Sequence, residues 1–263
     1  MLIENTLFGK RDLVELAIMR FKEFESQAVD MNSEGYWLAF SGGKDSVVIL
    51  DLAKKARVKF SAHFNVTTVD SPELLRFIRD TYSRREVKWE KPTTTMSRLI
   101  VKNRSFPLDN RRFCCAELKE RGGEDSFVAT GVRWKESGRR TKRRMTEVCF
   151  KNSRKRFLHP IIEWTDKDVW EYIKKNNLPY CELYDQGFDR VGCVGCGCGS
   201  IEQRSRQFER WPRIKKMYVK AGNEMVAAFK SVAPWETGEE AFNWWMNDKT
   251  TIKNDPDQGV LFE

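Results

Sequence analysis

The chain has 263 residues and carries 47 Lys and Arg against 38 Asp and Glu, which gives a net charge of +9. This length suits one large domain or a domain with an appendage, and the positive charge favours polyanionic partners, either nucleotides or nucleic acid. No run of about 18 apolar residues is present, which argues against a membrane-spanning helix. No secretory signal is visible at the N-terminus, and we therefore expect a cytoplasmic protein.

The predicted elements alternate between helices and strands. Residues 11–30 carry apolar side chains at helical spacing. Strands are predicted over residues 36–40, 58–64 (with an extension over 66–69) and 127–130. A helix is predicted to begin just after Asp70, because Pro72 suits the first helical turn. This alternation predicts an α/β fold in which a parallel, twisted sheet is covered by helices on both faces.

The C-terminal part of the chain is predicted to be helical. Thr165 and Asp168 form a capping-box pattern at the start of one helix, and amphipathic segments follow. We expect three consecutive regions. They are an N-terminal helix packed on the core over residues 1–35, a nucleotide-binding α/β domain with a cysteine site over 36–200, and a helical appendage over 201–263.

The sequence Ser-Gly-Gly-Lys-Asp-Ser separates the first predicted strand from the helix that follows it. Two glycines permit a tight turn, and such a turn before a helix directs backbone N–H groups and the positive end of the helix dipole at one point. This arrangement suits phosphate, although a glycine turn without a ligand is the alternative. The spacing differs from that of the Walker loop. The candidate phosphate ligands are Ser41, Gly42, Gly43, Lys44, Asp45 and Ser46.

The stretch over residues 133–156 is dense in Lys and Arg, and only Glu136 and Glu147 oppose them. It is either a solvated loop or a phosphate-binding loop. The second interpretation is favoured because the chain already carries a nucleotide motif, and part of the stretch could reach a nucleic-acid backbone. In parallel sheets, ligands bind beyond the carboxyl ends of the strands, which is where Ser41 and Gly131 fall.

The cysteines form two tight groups. Cys114 and Cys115 are adjacent, and Cys193, Cys196 and Cys198 lie among glycines. In a chain without an export signal, such groups favour metal binding or thiol chemistry over disulfides. Zinc and an iron–sulfur cluster both accept four thiolates, and the spacing does not separate them.

These motifs together resemble the phosphoadenosine-phosphosulfate reductase family of the PP-loop ATP pyrophosphatase superfamily, over about residues 36–200. The motifs that carry the resemblance are Ser41–Ser46, Cys114–Lys119, Gly131–Arg140, Pro160–Trp170 and Leu183–Cys196. The resemblance implies the same α/β fold and adenosine-nucleotide-dependent sulfur chemistry.

The resemblance also implies roles for individual residues. Its iron-containing members suggest a [4Fe–4S] cluster, in preference to zinc, with the ligands Cys114, Cys115, Cys193 and Cys196. It places Gly131, Arg133 and Arg139 at the nucleotide, and we add Asp70 to that set. Lys44 and Asp45 are then expected to act in catalysis.

Two departures from the reductase pattern favour a different reaction. The given sequence has no cysteine after Cys198, whereas the reductases carry a nucleophilic cysteine in a C-terminal Glu-Cys-Gly-x-His element. The Ser41–Ser46 loop is also intact, as in members that use ATP. The main hypothesis is therefore an ATP-dependent sulfurtransferase, and the alternative is a sulfonucleotide reductase that uses an external thiol.

The main hypothesis specifies a reaction and its partners. Lys44 and the loop would hold ATP with Mg²⁺, the α–β bond would break to give pyrophosphate, and sulfur would displace AMP from the adenylated acceptor. The acceptor would be a nucleic acid, tRNA or DNA. Sulfur would come from a cysteine desulfurase or another donor. Cys198 would be either a persulfide carrier or a cluster ligand in place of Cys114 or Cys115. A homodimer is also expected.

Overall fold

The computed structural model describes residues 2–6, 9–138, 140–150, 152–231 and 233–247. The strands are β1 (Ile3–Thr6), β2 (Gly9–Asp12), β3 (Tyr36–Ala39), β4 (Phe60–Asn65), β5 (Val87–Glu90), β6 (Phe127–Ala129), β7 (Thr146–Cys149) and β8 (Asn152–Leu158). The α-helices are α1 (Leu13–Glu23), α2 (Glu25–Met31), α3 (Lys44–Ala56), α4 (Pro72–Thr81), α5 (Met96–Asn103), α6 (Asp166–Lys175), α7 (Ile201–Arg210), α8 (Pro212–Ala228) and α9 (Gly238–Met246). None of these helices has the length and apolar content needed to cross a membrane.

A six-stranded sheet organises the N-terminal and central parts of the chain. Its order is β5-β4-β3-β6-β8-β7, and every neighbouring pair is parallel except β7 with β8. Helices cover both faces of the sheet, and the C-terminal part is helical, so the predicted fold class is confirmed. β1 and β2 form a separate antiparallel pair.

Local sequence accounts for several helix boundaries. The predicted capping box at the start of α6 is confirmed, because the Thr165 side chain accepts from the Asp168 N–H and the Asp168 carboxylate accepts from the Thr165 N–H. Ser71 precedes α4 as its N-cap residue, and Pro72 occupies the first turn as predicted. The expected strand extension over residues 66–69 is wrong, because Thr68 adopts a positive φ of 66° and ends the extended backbone.

The basic stretch contains two β-strands, β7 and the start of β8, that its charged sequence did not predict. Residues 146–158 form the antiparallel pair β7–β8, with a register shift between Val148 and Cys149. Phe157 is a partner in this pair, and Leu158 is fully buried beneath the charged surface. The second half of the basic stretch is therefore a β-hairpin at one edge of the sheet.

The chain divides into two compact units, each assembled from separate segments. Unit 1 comprises residues 1–66, 70–91 and 121–192, and unit 2 comprises residues 67–69, 92–120 and 193–263. The core of unit 1 lies on the sheet, where Tyr36 packs against Phe21 and Phe127. The core of unit 2 is aromatic, and Trp245 stacks on Phe106 and Tyr218.

Candidate functional site

In unit 1, the loop of residues 41–43 joins β3 to α3, as the sequence predicted. Gly42 has a φ of 72°, and a Cβ there would come within 2.6 Å of Leu74. Glycine is therefore required both by the backbone angle and by the close packing on α4. The Ser46 hydroxyl donates to the Gly43 carbonyl at 2.8 Å and lies 3.3 Å from the Ser41 hydroxyl. The loop is thus held in shape by its own serines.

Two cations and two carboxylates converge at the start of α3. Arg133 is 2% exposed, and its guanidinium contacts Asp45 at 2.7 Å and Asp166 at 2.5 Å. The Lys44 Nζ lies 3.6 Å from Asp166 and 3.8 Å from Asp45. We call Lys44, Asp45, Arg133 and Asp166 the charge cluster.

Burial and charge oppose one another in this cluster. Burial raises the pKa of Asp45, and the positive charges of Arg133 and Lys44 partly offset that effect. Burial disfavours the charged form of Arg133, but Asp45 and Asp166 outweigh it and raise the pKa of the guanidinium. Arg133 is therefore a fixed positive charge.

Gly131 has a steric reason to be glycine. It follows β6, which pairs with β3, so the loops that follow these two strands are neighbours. A Cβ on Gly131 would lie 2.9 Å from the Cβ of Asp45 and 3.0 Å from its backbone carbon. The close approach brings the Gly131 loop against the first turn of α3.

The other two residues of the expected nucleotide-binding set, Asp70 and Arg139, keep their roles as predictions. Asp70 is buried immediately before the N-cap residue of α4, and its role at the nucleotide stays a prediction. Arg139 lies outside the described residues. Glu136, two positions after Trp134, accepts from the Arg133 N–H at 2.9 Å and is ion-paired with Arg140.

Two residues of this site escaped the sequence analysis. Asp166 lies between the two residues of the predicted capping box and had been given no role, yet it bridges Arg133 and Lys44. Tyr184 lies within a motif of the resemblance, but no role had been given to it. Its hydroxyl accepts from the Lys44 backbone N–H at 3.0 Å, and its ring lies 5.6 Å from the Lys44 Nζ. Only tertiary folding brings these side chains to the loop, so no local pattern revealed them.

In unit 2, none of the five clustered cysteines forms a disulfide, and all five are only partly exposed. Cys114 precedes a single π-helical turn, Cys115–Lys119, and the other group lies in the loop before α7. A hydrogen bond with Cys115 raises the pKa of the Cys114 thiol, burial raises it further, and the nearby Cys193 and Cys196 add to the effect. The structure therefore brings the two predicted cysteine groups into one region.

Cations and neighbouring thiols set the electrostatics of this region. The hydrogen bond with Cys114 lowers the pKa of Cys115, burial opposes it, and Arg112, whose Nη2 lies 3.4 Å from the Cys115 sulfur, lowers it further. Cys198 has a raised pKa because it is hydrogen-bonded to Cys196 and buried. Cys198 is thus paired with Cys196, and its expected part as a sulfur carrier stays a prediction.

Glycines shape the second cysteine group. Gly195 has a φ of 71°, and a Cβ there would lie 2.5 Å from the Phe208 ring. A Cβ on Gly197 would lie 2.3 Å from the Pro107 carbonyl oxygen. The Tyr218 hydroxyl also donates to the Val194 carbonyl at 3.0 Å. The loop is therefore anchored on the aromatic core of unit 2.

The donor set fits an iron–sulfur cluster in kind, because it consists of thiols gathered in one region with cations beside them. Within the described residues, no three His, Cys, Asp or Glu side chains are grouped so as to hold a single metal ion. The ligand set Cys114, Cys115, Cys193 and Cys196 therefore stays a prediction.

Comparisons with known proteins place this architecture in a family. A sequence model described as the phosphoadenosine phosphosulfate reductase domain matches residues 35–198. The chain is 30% identical over 189 residues to an adenosine 5'-phosphosulfate reductase of Oceanobacillus iheyensis, which covers 68% of this chain and 78% of that protein. It is also 30% identical over 213 residues to an uncharacterised protein of Methanocaldococcus jannaschii. That alignment covers 71% of this chain but only 42% of the relative.

Solved structures support the fold. The FMN adenylyltransferase of Candida glabrata, in complex with FMN and the ATP analogue AMPCPP, matches with a TM-score of 0.51 at 18% identity. The match covers 69% of this chain and 63% of the other. At this identity the likeness establishes the fold alone. Since the family model spans more than half of the sequence and includes both the Ser41–Ser46 loop and the cysteine pairs, this chain belongs to the phosphoadenosine phosphosulfate reductase family.

Proposed function

We propose that unit 1 binds an adenine nucleotide with its phosphate groups at the Ser41–Ser46 loop, and that the chain uses this nucleotide in sulfur chemistry. The charge cluster carries the proposal. Two cations that are almost inaccessible to solvent, Lys44 and Arg133, lie at the N-terminus of α3. A helix N-terminus with adjacent fixed cations favours a phosphate group.

Adenylyl sulfate is the substrate that the relatives favour. The Oceanobacillus iheyensis relative bears the name of an adenosine 5'-phosphosulfate reductase. In the proposed reaction, a thiolate from an external dithiol attacks the sulfur of the nucleotide, the sulfur–oxygen bond to the phosphate breaks, and AMP leaves. The second thiolate of the dithiol then attacks the thiol-derived sulfur of the resulting S-sulfonate. The bond from that sulfur to the sulfonate group breaks, so sulfite leaves and the dithiol becomes a disulfide.

The charge cluster would act on the leaving group in this reaction. Negative charge grows on the phosphate oxygen as its bond to sulfur breaks. Arg133 stays charged because Asp45 and Asp166 raise its pKa, and Lys44 is the second buried cation beside it. Fixed positive charge where negative charge develops lowers the barrier more than it stabilises the bound substrate.

Cys114, Cys115, Cys193 and Cys196 would hold an iron–sulfur cluster in unit 2. When bound, such a group would supply positive charge or electrons to sulfur chemistry. Arg112 would contribute by keeping Cys115 in the thiolate form that binds metal, since it lowers the pKa of that thiol.

ATP is the second candidate substrate, and the intact Ser41–Ser46 loop favours it. In that reaction an acceptor oxygen attacks the α-phosphorus of Mg²⁺-bound ATP and pyrophosphate leaves. The terminal sulfur of a persulfide then displaces AMP from the acceptor, and a second thiol cleaves the remaining S–S bond, which leaves sulfur on the acceptor and forms a disulfide. A tRNA or DNA acceptor and a cysteine desulfurase are the proposed partners.

Thermal stabilisation by nucleotides tests the proposal and chooses between the substrates. Protein purified without oxygen is titrated with adenylyl sulfate, phosphoadenylyl sulfate, or AMPCPP with Mg²⁺. A ligand at 100 times its Kd adds about 2.7 kcal/mol to the free energy of unfolding. A rise in Tm with the sulfonucleotides supports reduction, whereas a rise with AMPCPP alone supports ATP-dependent transfer.

Two glycine variants test whether the nucleotide-dependent rise in Tm comes from binding at the Ser41–Ser46 loop. Gly131→Ala should abolish the nucleotide-dependent rise, because its Cβ would displace Asp45. Gly138→Ala is the matched control, since a Cβ there meets nothing within 4 Å. No rise with any nucleotide, or equal rises in both variants, would contradict the proposed site.

A further inference from the structure

A serine, a histidine and a glutamate form a hydrogen-bonded chain on the sheet of unit 1, away from the Ser41–Ser46 loop. The Ser61 Oγ lies 2.6 Å from Nε2 of His63, and Nδ1 of His63 lies 2.7 Å from a carboxylate oxygen of Glu90. Both distances are those of good hydrogen bonds. This connectivity is that of a nucleophile, a general base and the carboxylate that orients the base.

The sheet geometry creates this chain. Ser61 and His63 are two residues apart on β4, so they lie on the same face. Glu90 ends β5, which pairs with β4 on one side, and Trp37 pairs with Ser61 from β3 on the other. The Trp37 ring stacks on the imidazole with their centroids 3.3 Å apart and their planes 8° apart. The imidazole is therefore fixed in position and is 4% exposed.

The protonation state of the imidazole follows from its partners. Burial lowers the pKa of His63, although the hydrogen bond that His63 donates to Glu90 opposes this effect, so the ring is neutral near pH 7. A carboxylate can only accept, so the hydrogen of the neutral ring lies on Nδ1 and points at Glu90. Nε2 then carries a lone pair that faces the Ser61 hydroxyl. This is the tautomer that a general base requires.

Ser61 also opens onto a groove, whereas His63 does not. The groove has a volume of about 540 Å³ and includes Ser61 in its wall. Its charged wall residues are Glu34, Lys59, Arg85, Glu86 and Lys88. Three cations against two carboxylates leave the wall net positive, and Glu34 is already paired with Lys88 at 2.8 Å. The groove therefore favours a molecule with a negative charge.

The groove and the nucleotide loop occupy opposite ends of the strands. Ser61 is the second residue of β4, whereas Ser41 comes after the last residue of β3. β3 and β4 are parallel, and their first residues, Tyr36 and Phe60, are paired. Ser61 therefore lies near the amino ends of the strands, whereas Ser41 lies beyond their carboxyl ends.

We propose that Ser61 is an activated nucleophile in a second catalytic site, with His63 as general base and Glu90 as the positioning residue, and that it acts on small carboxylic esters bearing an anionic group. The Ser61 oxygen bonds to the carbonyl carbon while its proton passes to Nε2 of His63. That proton then leaves with the alcohol as the ester bond breaks. Water hydrolyses the acyl-serine by the same proton path.

The test uses the full chain and a fluorophosphonate probe, with the modified residue identified by mass spectrometry. We expect covalent labelling of Ser61 at neutral pH. His63→Gln should slow it by about 100-fold, the lower range for loss of a general base, and Glu90→Gln should slow it less. Ser83→Ala is the matched control, because Ser83 is exposed and bonds only a backbone N–H. Ser61→Ala should remove the label.

Further measurements keep the proposal independent of folding and of the nucleotide site. Circular dichroism and Tm identify any His63→Gln protein that fails to fold, and Glu90→Gln then carries the comparison. Excess adenylyl sulfate or AMPCPP should leave the labelling rate unchanged, whatever the outcome of the nucleotide experiment. Two results would overturn the proposal that Ser61 is an activated nucleophile. One is labelling of Ser61 no faster than that of Ser83, and the other is a labelling rate that is unchanged in both His63→Gln and Glu90→Gln.

The charge of the substrate is tested with two chromogenic esters. We expect hydrolysis of 4-nitrophenyl glutarate, which carries a carboxylate, to exceed that of neutral 4-nitrophenyl acetate by about tenfold, which corresponds to 1.4 kcal/mol. Lys59→Ala should reduce this preference. Equal rates on the two esters would overturn the assignment of an anionic substrate.

Discussion

The two candidate sites of this protein, the charge cluster of unit 1 and the cysteine groups of unit 2, are held in shape in different ways. In unit 1, the charge cluster is held by mutual ion pairs, in which Arg133 and Lys44 each pair with both Asp45 and Asp166. In unit 2, the cysteines lie on a π-helical turn and on a loop shaped by glycines against an aromatic core. The comparison teaches that the first region depends on charge balance, whereas the second depends on backbone geometry.

Removing Arg133 should give the largest effect, because it breaks the charge balance of unit 1. Arg133→Ala leaves Asp45 without its closest cation, and we expect a loss of about 3 kcal/mol in the free energy of unfolding, measured by urea denaturation. Arg79→Ala is the control, since its ion pair with Asp80 is fully exposed and should change stability little. Equal losses in the two variants would mean that the cluster contributes no more than a surface pair.

Gly195→Ala tests the backbone geometry of unit 2. The positive φ of Gly195 and the 2.5 Å approach of its Cβ to Phe208 predict a loss of about 2 kcal/mol, measured in the same way. Iron content after anaerobic purification should fall in parallel. Gly138→Ala is the control, because a Cβ on Gly138 would meet nothing within 4 Å. Full stability and iron content in Gly195→Ala would show that the loop tolerates another path.

Tyr184→Phe should give the smallest effect, and it has the opposite sign. The Tyr184 hydroxyl takes the Lys44 N–H that a phosphate oxygen would otherwise accept from. Losing this competitor, worth about 1 kcal/mol, should tighten nucleotide binding about fivefold in calorimetric titrations. Tyr180→Phe is the control, because its hydroxyl bonds Asp185 at the surface. Weaker binding by Tyr184→Phe would identify the hydroxyl as a nucleotide ligand instead.

The strand–turn–helix unit around Ser41–Ser46 was predictable because its signals are local. An apolar run, two glycines and a helical repeat fix β3, the turn and α3 without help from distant residues. The capping box at Thr165 and Asp168 was predictable for the same reason.

The rest depends on contacts between residues distant in sequence. Asp166 and Tyr184 contact Lys44 only in the folded sheet. The spacing of apolar residues in the sequence therefore could not predict that they belong to the site. The hairpin β7–β8 was missed because its outward side chains are charged and resemble those of a solvated loop. The predicted helix over residues 11–30 is two helices that meet at Phe24, a break that no glycine or proline announces.

The assembly of unit 2 from three separate stretches constrains the order of events during biosynthesis. Cys114 and Cys115 leave the ribosome well before Cys193 and Cys196, because residues 121–192 lie between the two pairs in the sequence. Those intervening residues belong to unit 1. Bringing the two cysteine pairs together closes a long loop, and the entropic cost of closure grows only slowly with loop length. The second pair must nevertheless be synthesised before the loop can close. A group that bridges both cysteine pairs can therefore be inserted only late in translation or after it, and until then the first pair is exposed to oxidants.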